Sequence, residues 1–226
     1  MSSHERELWK IALIGGTGPE GRGLALRLAL AGHSIIIGSR SAERAAEIAR
    51  TLRTSARGTV AIAGDSNHEA AARSELAILT VPYSGLEETL SGLHDGLRGK
   101  IVVSAIAPLE FSEGRPVSMT VPAGSAGQEV ARRLPESRVA SAFQTVDAHA
   151  LADLESGLDT DVLVSSDDTE ARHAVVKLAN SIHGVRALSA GRLATSRYVE
   201  ECTVLLITLN RIYKAHSGIR ITGINR

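Results

Sequence analysis

The apolar run Ile11-Ala12-Leu13-Ile14-Gly15 passes directly into Gly16-Thr17-Gly18-Pro19-Glu20-Gly21, and that hexapeptide into Leu24-Ala25-Leu26-Arg27-Leu28-Ala29. A G-x-G-x-x-G sequence between a strand and a helix constrains this chain more than any other feature. Gly16 permits a tight turn, Gly18 lets a phosphate approach the backbone, and Gly21 lets helix and strand pack closely. The helix start then offers unpaired N–H groups and a partial positive charge. The pattern predicts a dinucleotide against Gly16, Thr17, Gly18, Pro19, Glu20 and Gly21; the competing reading is a glycine turn with a structural role alone.

The second strand, Ile35-Ile36-Ile37-Gly38, ends in Ser39-Arg40. A chain that binds NAD usually carries an Asp or Glu about 20 residues past the glycines, on the ribose 2′-OH. Here that place holds a hydroxyl and a guanidinium, with Arg44 four residues on. A helix starting near Ser41 brings Arg40 and Arg44 toward one anion, and Arg grips phosphate through forked, charge-assisted hydrogen bonds. The residues therefore point to NADP(H), with Ser39, Arg40 and Arg44 at the extra phosphate. The alternative for Arg44 is a solvated helix charge paired with Glu43 or Glu47.

Strands and helices alternate through the first two thirds of the chain. Apolar runs at 60–63, 76–81, 100–104 and 139–143 read as further strands, with helices expected over 42–52, 67–73, 84–97 (broken at Gly92) and 124–134. Such alternation implies right-handed βαβ units and a doubly wound parallel sheet, an α/β Rossmann domain over residues 1–145. Residues 146–226 then form a smaller α/β domain packed against it. A strand is expected over 161–165, a helix to about 182, a long helix over 193–215, and a last strand at 219–221. The cleft between the two parts is the expected ligand site.

Composition narrows the function. The chain has 226 residues, 43% of them hydrophobic but only 3% aromatic, so the core must be Leu, Ile, Val and Ala. Zero formal net charge argues against nucleic acid or an acidic membrane surface as partner. The polar start, Met1 to Glu7, leads into no secretory apolar region, and no apolar run reaches membrane-spanning length. The lone Cys202 allows no internal disulfide; it reads as a small core residue in a cytoplasmic protein.

In doubly wound sheets, ligands sit beyond the C-terminal strand ends. Thr80-Val81-Pro82, the apolar Ala105 to Leu109 loop including Ala107, and Phe143-Gln144-Thr145 converge there with the glycine turn. Pro82 is expected beside the nicotinamide ribose, and Gln144 is polar where a bland core would be apolar. No acid–base set is evident: His149, His173 and His183 read as surface residues, and no His/Cys/Asp group has metal-ligand spacing. Hydride transfer between two aligned rings needs geometry more than a proton shuttle.

The segments Ile11 to Gly18 and Gly21 to Ala29 resemble the start of the coenzyme F420-dependent NADP reductases. Ile37-Gly38-Ser39-Arg40 with Arg44 resembles that family's NADP-phosphate segment. Val81-Pro82, Val102-Val103-Ser104, Ala190-Gly191 and Ser196-Arg197-Tyr198-Val199-Glu200 resemble later family segments, so the likeness covers essentially the whole chain. It implies direct, reversible hydride exchange between reduced coenzyme F420, an 8-hydroxy-5-deazaflavin, and NADP. It also implies Thr17, Ser39, Arg40 and Arg44 at the 2′-phosphate, Gly18, Pro19 and Glu20 at the pyrophosphate, and Pro82 at the nicotinamide. The deazaflavin would stack on the nicotinamide in the cleft, and the long final helix would join two copies as a homodimer. Two departures stand out: Gln144 replaces a His found in many relatives, and Ala105 follows Ser104 where archaeal relatives tend to have Pro. Gln144 is thus a candidate ring contact. Rival readings are an NADPH-dependent reductase of a flavin, imine or ketone, and a non-catalytic NADP sensor.

Overall fold

The computed structural model describes residues 8–56 and 60–224; the polar start, 1–7, lies outside them. The first half runs β1 (Lys10–Ile14), α1 (Pro19–Leu30), β2 (Ser34–Ser39), α2 (Ala42–Ser55), β3 (Ile62–Ser66), α3 (Asn67–Arg73), β4 (Leu76–Leu79), α4 (Leu86–Ser91), α5 (His94–Leu97) and β5 (Ile101–Ser104). A hairpin, β6 (Leu109–Ser112) and β7 (Arg115–Ser118), precedes α6 (Ala126–Arg133), β8 (Arg138–Ser141) and α7 (Ala148–Ala152). The chain closes with β9 (Thr160–Ser166), α8 (Thr169–Asn180), β10 (Val185–Ser189) and α9 (Ser196–Tyr213).

Eight strands form one sheet in the order β10-β9-β8-β5-β4-β1-β2-β3. The six from β3 to β8 are parallel and have the doubly wound order. Crossing helices bury both faces, so successive residues of one strand enter opposite layers. Ile11 and Leu13 belong to one apolar layer with Leu24 and Leu28 of α1, a layer that continues to Val175 and Leu178 of α8. Ala12 and Ile14 belong to the opposite layer with Ala70 of α3, a layer that continues to Leu90 of α4 and Val130 of α6. The later part packs on this sheet by extending it: β9 pairs antiparallel with β8, and β10 runs parallel to β9.

Several expectations need correction. The third strand starts two residues late, at Ile62, because it must pass beneath α2 at Gly64, where a Cβ would stand 2.2 Å from Ala45 backbone. The sixth strand ends at Ser141, since Phe143 takes a left-handed backbone (φ 79°) and leaves the ladder. No strand forms at 219–221: Asp161 N–H donates to Ile219 O, but the contact is a single backbone bond beside side-chain ties. Cys202 is half-buried rather than in the core, because α9 fully buries only Ser196, Val199, Glu200 and Leu206. The hairpin went unforeseen. The hairpin turns at Glu113-Gly114, both left-handed, as a tight two-residue connection of twisted strands requires.

Candidate functional site

A cleft of about 780 Å³ opens at the C-terminal ends of β1, β2, β4 and β5. Every residue expected at the cofactor lines it except Gly16, together with the candidate ring contact Gln144. Gly16 lies behind the wall, its N–H donating to Leu13 O (3.1 Å) and Gly38 O (3.0 Å), so it shapes the turn rather than the surface. A Cβ on Gly21 would stand 2.5 Å from the Gly16 Cα, which is the close approach of helix and turn expected from sequence. A Cβ on Gly18 would meet nothing within 4 Å, so the space above it faces the cleft. Gly18 N-caps α1 without a side-chain partner, and the first-turn N–H groups remain available to an anion. An open cradle over a helix start fits a pyrophosphate.

At one end of the cleft stand Ser39, Arg40 and Arg44. Ser41 caps α2, accepting from Arg44 N–H (3.1 Å), and its hydroxyl donates to Glu43 Oε2 (2.8 Å). That cap starts α2 one residue after Ser41 and sets Arg44 one turn above Arg40. Both guanidinium groups are exposed and form no ion pair among the described residues, so the alternative pairing of Arg44 with Glu43 or Glu47 is not made. Two exposed, uncommitted cations beside a strand end fit a phosphate dianion.

The middle of the cleft is held by backbone and short side chains. Thr80 N–H and Oγ1 both donate to Ile14 O, at 3.0 and 3.1 Å, which fixes the Thr80-Val81-Pro82 segment against β1. Asn67, the first residue of α3, accepts from Gly15 N–H through Oδ1 (3.1 Å) and lines the cleft; it was not anticipated. Its signal was the immediate passage from β3 into a Ser66-capped helix.

The far wall comes from β8 and α9. Phe143, buried and left-handed, turns Gln144 inward. Non-glycine residues with positive φ hold strain of about 1–3 kcal/mol and concentrate at functional sites. Gln144 is 5% exposed; its Nε2 donates to Ser104 O (2.9 Å) and Ser141 Oγ (2.6 Å), while its Oε1 has no partner among the described residues. The amide is therefore locked with its acceptor unmet. Thr203 and Ile207, one turn apart on α9, line the cleft opposite the glycine turn; Thr203 Oγ1 donates to Gln144 O (3.0 Å). Neither was foreseen, because only the packing of α9 brings them there.

Ser196 and Glu200, prominent in the sequence, lie behind this wall rather than on it. Glu200 is 3% exposed and its carboxylate accepts from the N–H groups of Ala126 (2.8 Å) and Gly127 (3.1 Å) at the start of α6. Ser196 Oγ donates to Ser125 Oγ (2.8 Å), the α6 cap. One helix thus caps another in trans and fixes α9 against the sheet. Burial pushes the Glu200 carboxyl upward, opposed by those two N–H groups.

Glu20 sits in the first turn of α1 and lines the cleft. Its Oε1 is shielded from solvent and unpartnered among the described residues, and burial pushes its pKa up to about 8. Elsewhere the fold joins Asp147, His149 and His216, whose ligand-type atoms lie within 4.8 Å. Chain positions so far apart gave no such hint. Asp147 is already engaged on both oxygens: Oδ1 accepts from His149 and Ala150 N–H, and Oδ2 from Asn210 Nδ2 (3.2 Å). These bonds tie α7 to the chain around the end of α9.

The family model for NADP oxidoreductase, coenzyme F420-dependent, matches residues 10–108. The chain is 45% identical over 221 residues to the F420-dependent NADP reductase of Methanocaldococcus jannaschii, covering 95% of this chain and 99% of that one. It is 42% identical over 223 residues to the F420-dependent NADP reductase of Methanothermobacter marburgensis, with coverage of 95% and 99%. Among solved structures, a putative F420-dependent NADP-reductase from Arthrobacter sp. FB24 superimposes with a TM-score of 0.81 at 27% identity, covering 95% of this chain and 99% of that one.

Proposed function

The chain belongs to the F420-dependent NADP reductase family, and from that premise we propose how its cleft is used. It is an oxidoreductase that exchanges hydride between reduced coenzyme F420 and NADP. Thr17, Ser39, Arg40 and Arg44 hold the 2′-phosphate. The backbone of Gly18 to Gly21 carries the pyrophosphate, and the Thr80-Val81-Pro82 segment with Ala107 borders the nicotinamide. Gln144, Thr203 and Ile207 border the deazaflavin, which supplies a hydride at its ring carbon when bound. Gln144, its amide locked on Ser104 and Ser141, gives that ring a fixed wall; no side chain is needed to form a covalent bond. The transfer is direct and reversible.

The observation that carries this reading is one continuous cleft. It runs from the free Arg40 and Arg44, over the open face of Gly18, to Gln144. Residues 1–145 supply the nucleotide half and residues 146–226 close the acceptor half. A homodimer is supported by α9, where Tyr198, Leu205 and Ile212 recur every seven residues and are 67%, 56% and 65% exposed. Among the described residues no helix is long and apolar enough to cross a membrane, and the single cysteine suits a reducing cytoplasm.

The test mixes the purified protein with reduced coenzyme F420 and NADP+, with neither flavin nor metal added. Recovery of the oxidised deazaflavin absorbance in step with NADPH is expected. Transfer that appears only after flavin is supplied would favour a reductase of another acceptor, and binding of NADP+ without any transfer would favour a sensor.

A further inference from the structure

We propose that Glu20 enters the cofactor complex as a neutral carboxylic acid and donates its proton to an acceptor oxygen of the bound dinucleotide, which makes NADP binding proton-linked. The inference rests on the placement of NADP given above. Glu20 occupies the turn of α1 whose N–H groups face the pyrophosphate cradle, and it lines the same cleft. An ionised carboxylate there would stand beside phosphate anions, a like-charge arrangement that disfavours ionisation. It also has one oxygen shut away from water with no donor to satisfy it. A buried acceptor left unmet is costly, and more so when it is charged. Protonation removes the like-charge penalty, leaves the sealed oxygen as an uncharged carbonyl that is less costly to bury unmet, and lets the other oxygen act as a donor. A hydroxyl donating to an anionic oxygen is among the stronger protein hydrogen bonds.

Among the described residues nothing offers Glu20 Oε1 an alternative partner. On its own helix, Arg22 Nε is engaged with Thr17 O (2.7 Å). From the other elements the charged groups are Arg40 and Arg44 at α2, Glu88 on α4, and Asp147 and His149 at α7, which packs on α1. None forms an ion pair or hydrogen bond with Glu20 among the described residues. Burial alone raises this carboxyl to about 8, and a bound anion raises it further.

The sign follows from linkage. The complex binds the proton more tightly than the free protein, so affinity is greatest below the free value and falls as pH rises through it. Titration calorimetry with NADP+, in two buffers of different ionisation enthalpy, reads this without turnover. Near pH 8 the wild type is expected to take up about half a proton more per NADP+ than Glu20→Gln, and none more at pH 6.5. Its Kd should rise toward about tenfold per pH unit above pH 8, while Glu20→Gln stays flat from pH 7 to 9. Glu20→Leu, which keeps bulk but cannot donate, should bind more weakly than Glu20→Gln and be equally flat. Equal proton uptake and equal pH slopes in wild type and Glu20→Gln would overturn the proposal. Failure of every form to bind NADP+ at any pH would overturn the cofactor placement itself.

Discussion

The cleft wall from Thr17 to Gly21 takes its shape from backbone, whereas the wall from Gln144 to Ile207 is made by side chains that meet from distant parts of the chain. On the first wall the requirement is local: Gly21 is glycine because Gly16 lies 2.5 Å from where its Cβ would be. On the second, each residue depends on another element. Gln144 is set by the Phe143 backbone and by Ser104 and Ser141, and α9 is set by the Glu200 contact with α6. A backbone site should fail abruptly when one atom is added, and a side-chain site should fail by degrees as partners are removed.

The largest effect is expected at the backbone wall. Gly21→Ala forces a methyl group into the Gly16 backbone, and NADP+ affinity should fall by at least about 100-fold. Isothermal titration against NADP+ checks this; near-normal binding would show that the turn has slack and that the two walls do not differ as described. Next comes the support of the opposite wall. Glu200→Ala leaves two buried N–H groups of α6 unpaired and should lower unfolding stability by about 2–4 kcal/mol, measured in urea, with Glu200→Gln recovering roughly half. If both substitutions are silent, α9 is held by its apolar contacts alone.

A third prediction separates charge from scaffold. Arg40→Ala with Arg44→Ala should weaken NADP+ about 30- to 100-fold and NAD+ less than about twofold, because only the 2′-phosphate meets them. Equal loss for both nucleotides would mean the arginines act on the fold or on the pyrophosphate. The smallest effect lies at the sheet edge. Asp161 is fully buried, bound by Arg186 through both oxygens and by Arg220 Nη1 (2.8 Å), and these donors hold its carboxyl far below the usual carboxylate range. A depressed folded value gives stability that is present above the unfolded pKa of about 3.9 and lost as pH falls below it. Asp161→Asn should therefore cost about 1–2 kcal/mol at pH 7 and flatten the acid limb of the stability profile. An unchanged acid limb would shift the source of acid sensitivity elsewhere.

The same contrast explains what the amino-acid order revealed. The glycine turn, the free arginine pair and the parallel strands were legible because each follows from residues within one turn or one strand. The break at Gly92 between α4 and α5 was legible for the same reason. The strand end at Ser141 was not, since Val139 to Phe143 is apolar throughout and only the left-handed Phe143 interrupts it. Ser196 and Glu200 were visible as a pattern but not as a helix cap, because their partners lie about 70 residues earlier. Thr203, Ile207 and Asn67 entered the site by packing, which no local spacing encodes.

The central claim, direct passage of hydride from deazaflavin to nicotinamide within one cleft, is tested most directly by isotope tracing. Reduced coenzyme F420 carrying ordinary hydrogen at its hydride carbon is reacted with NADP+ in heavy water, and the NADPH formed is analysed by mass spectrometry. The account predicts NADPH without solvent deuterium, because a carbon-bound hydride does not exchange. Deuterium incorporated at the nicotinamide carbon would show an exchangeable carrier between the two and contradict it.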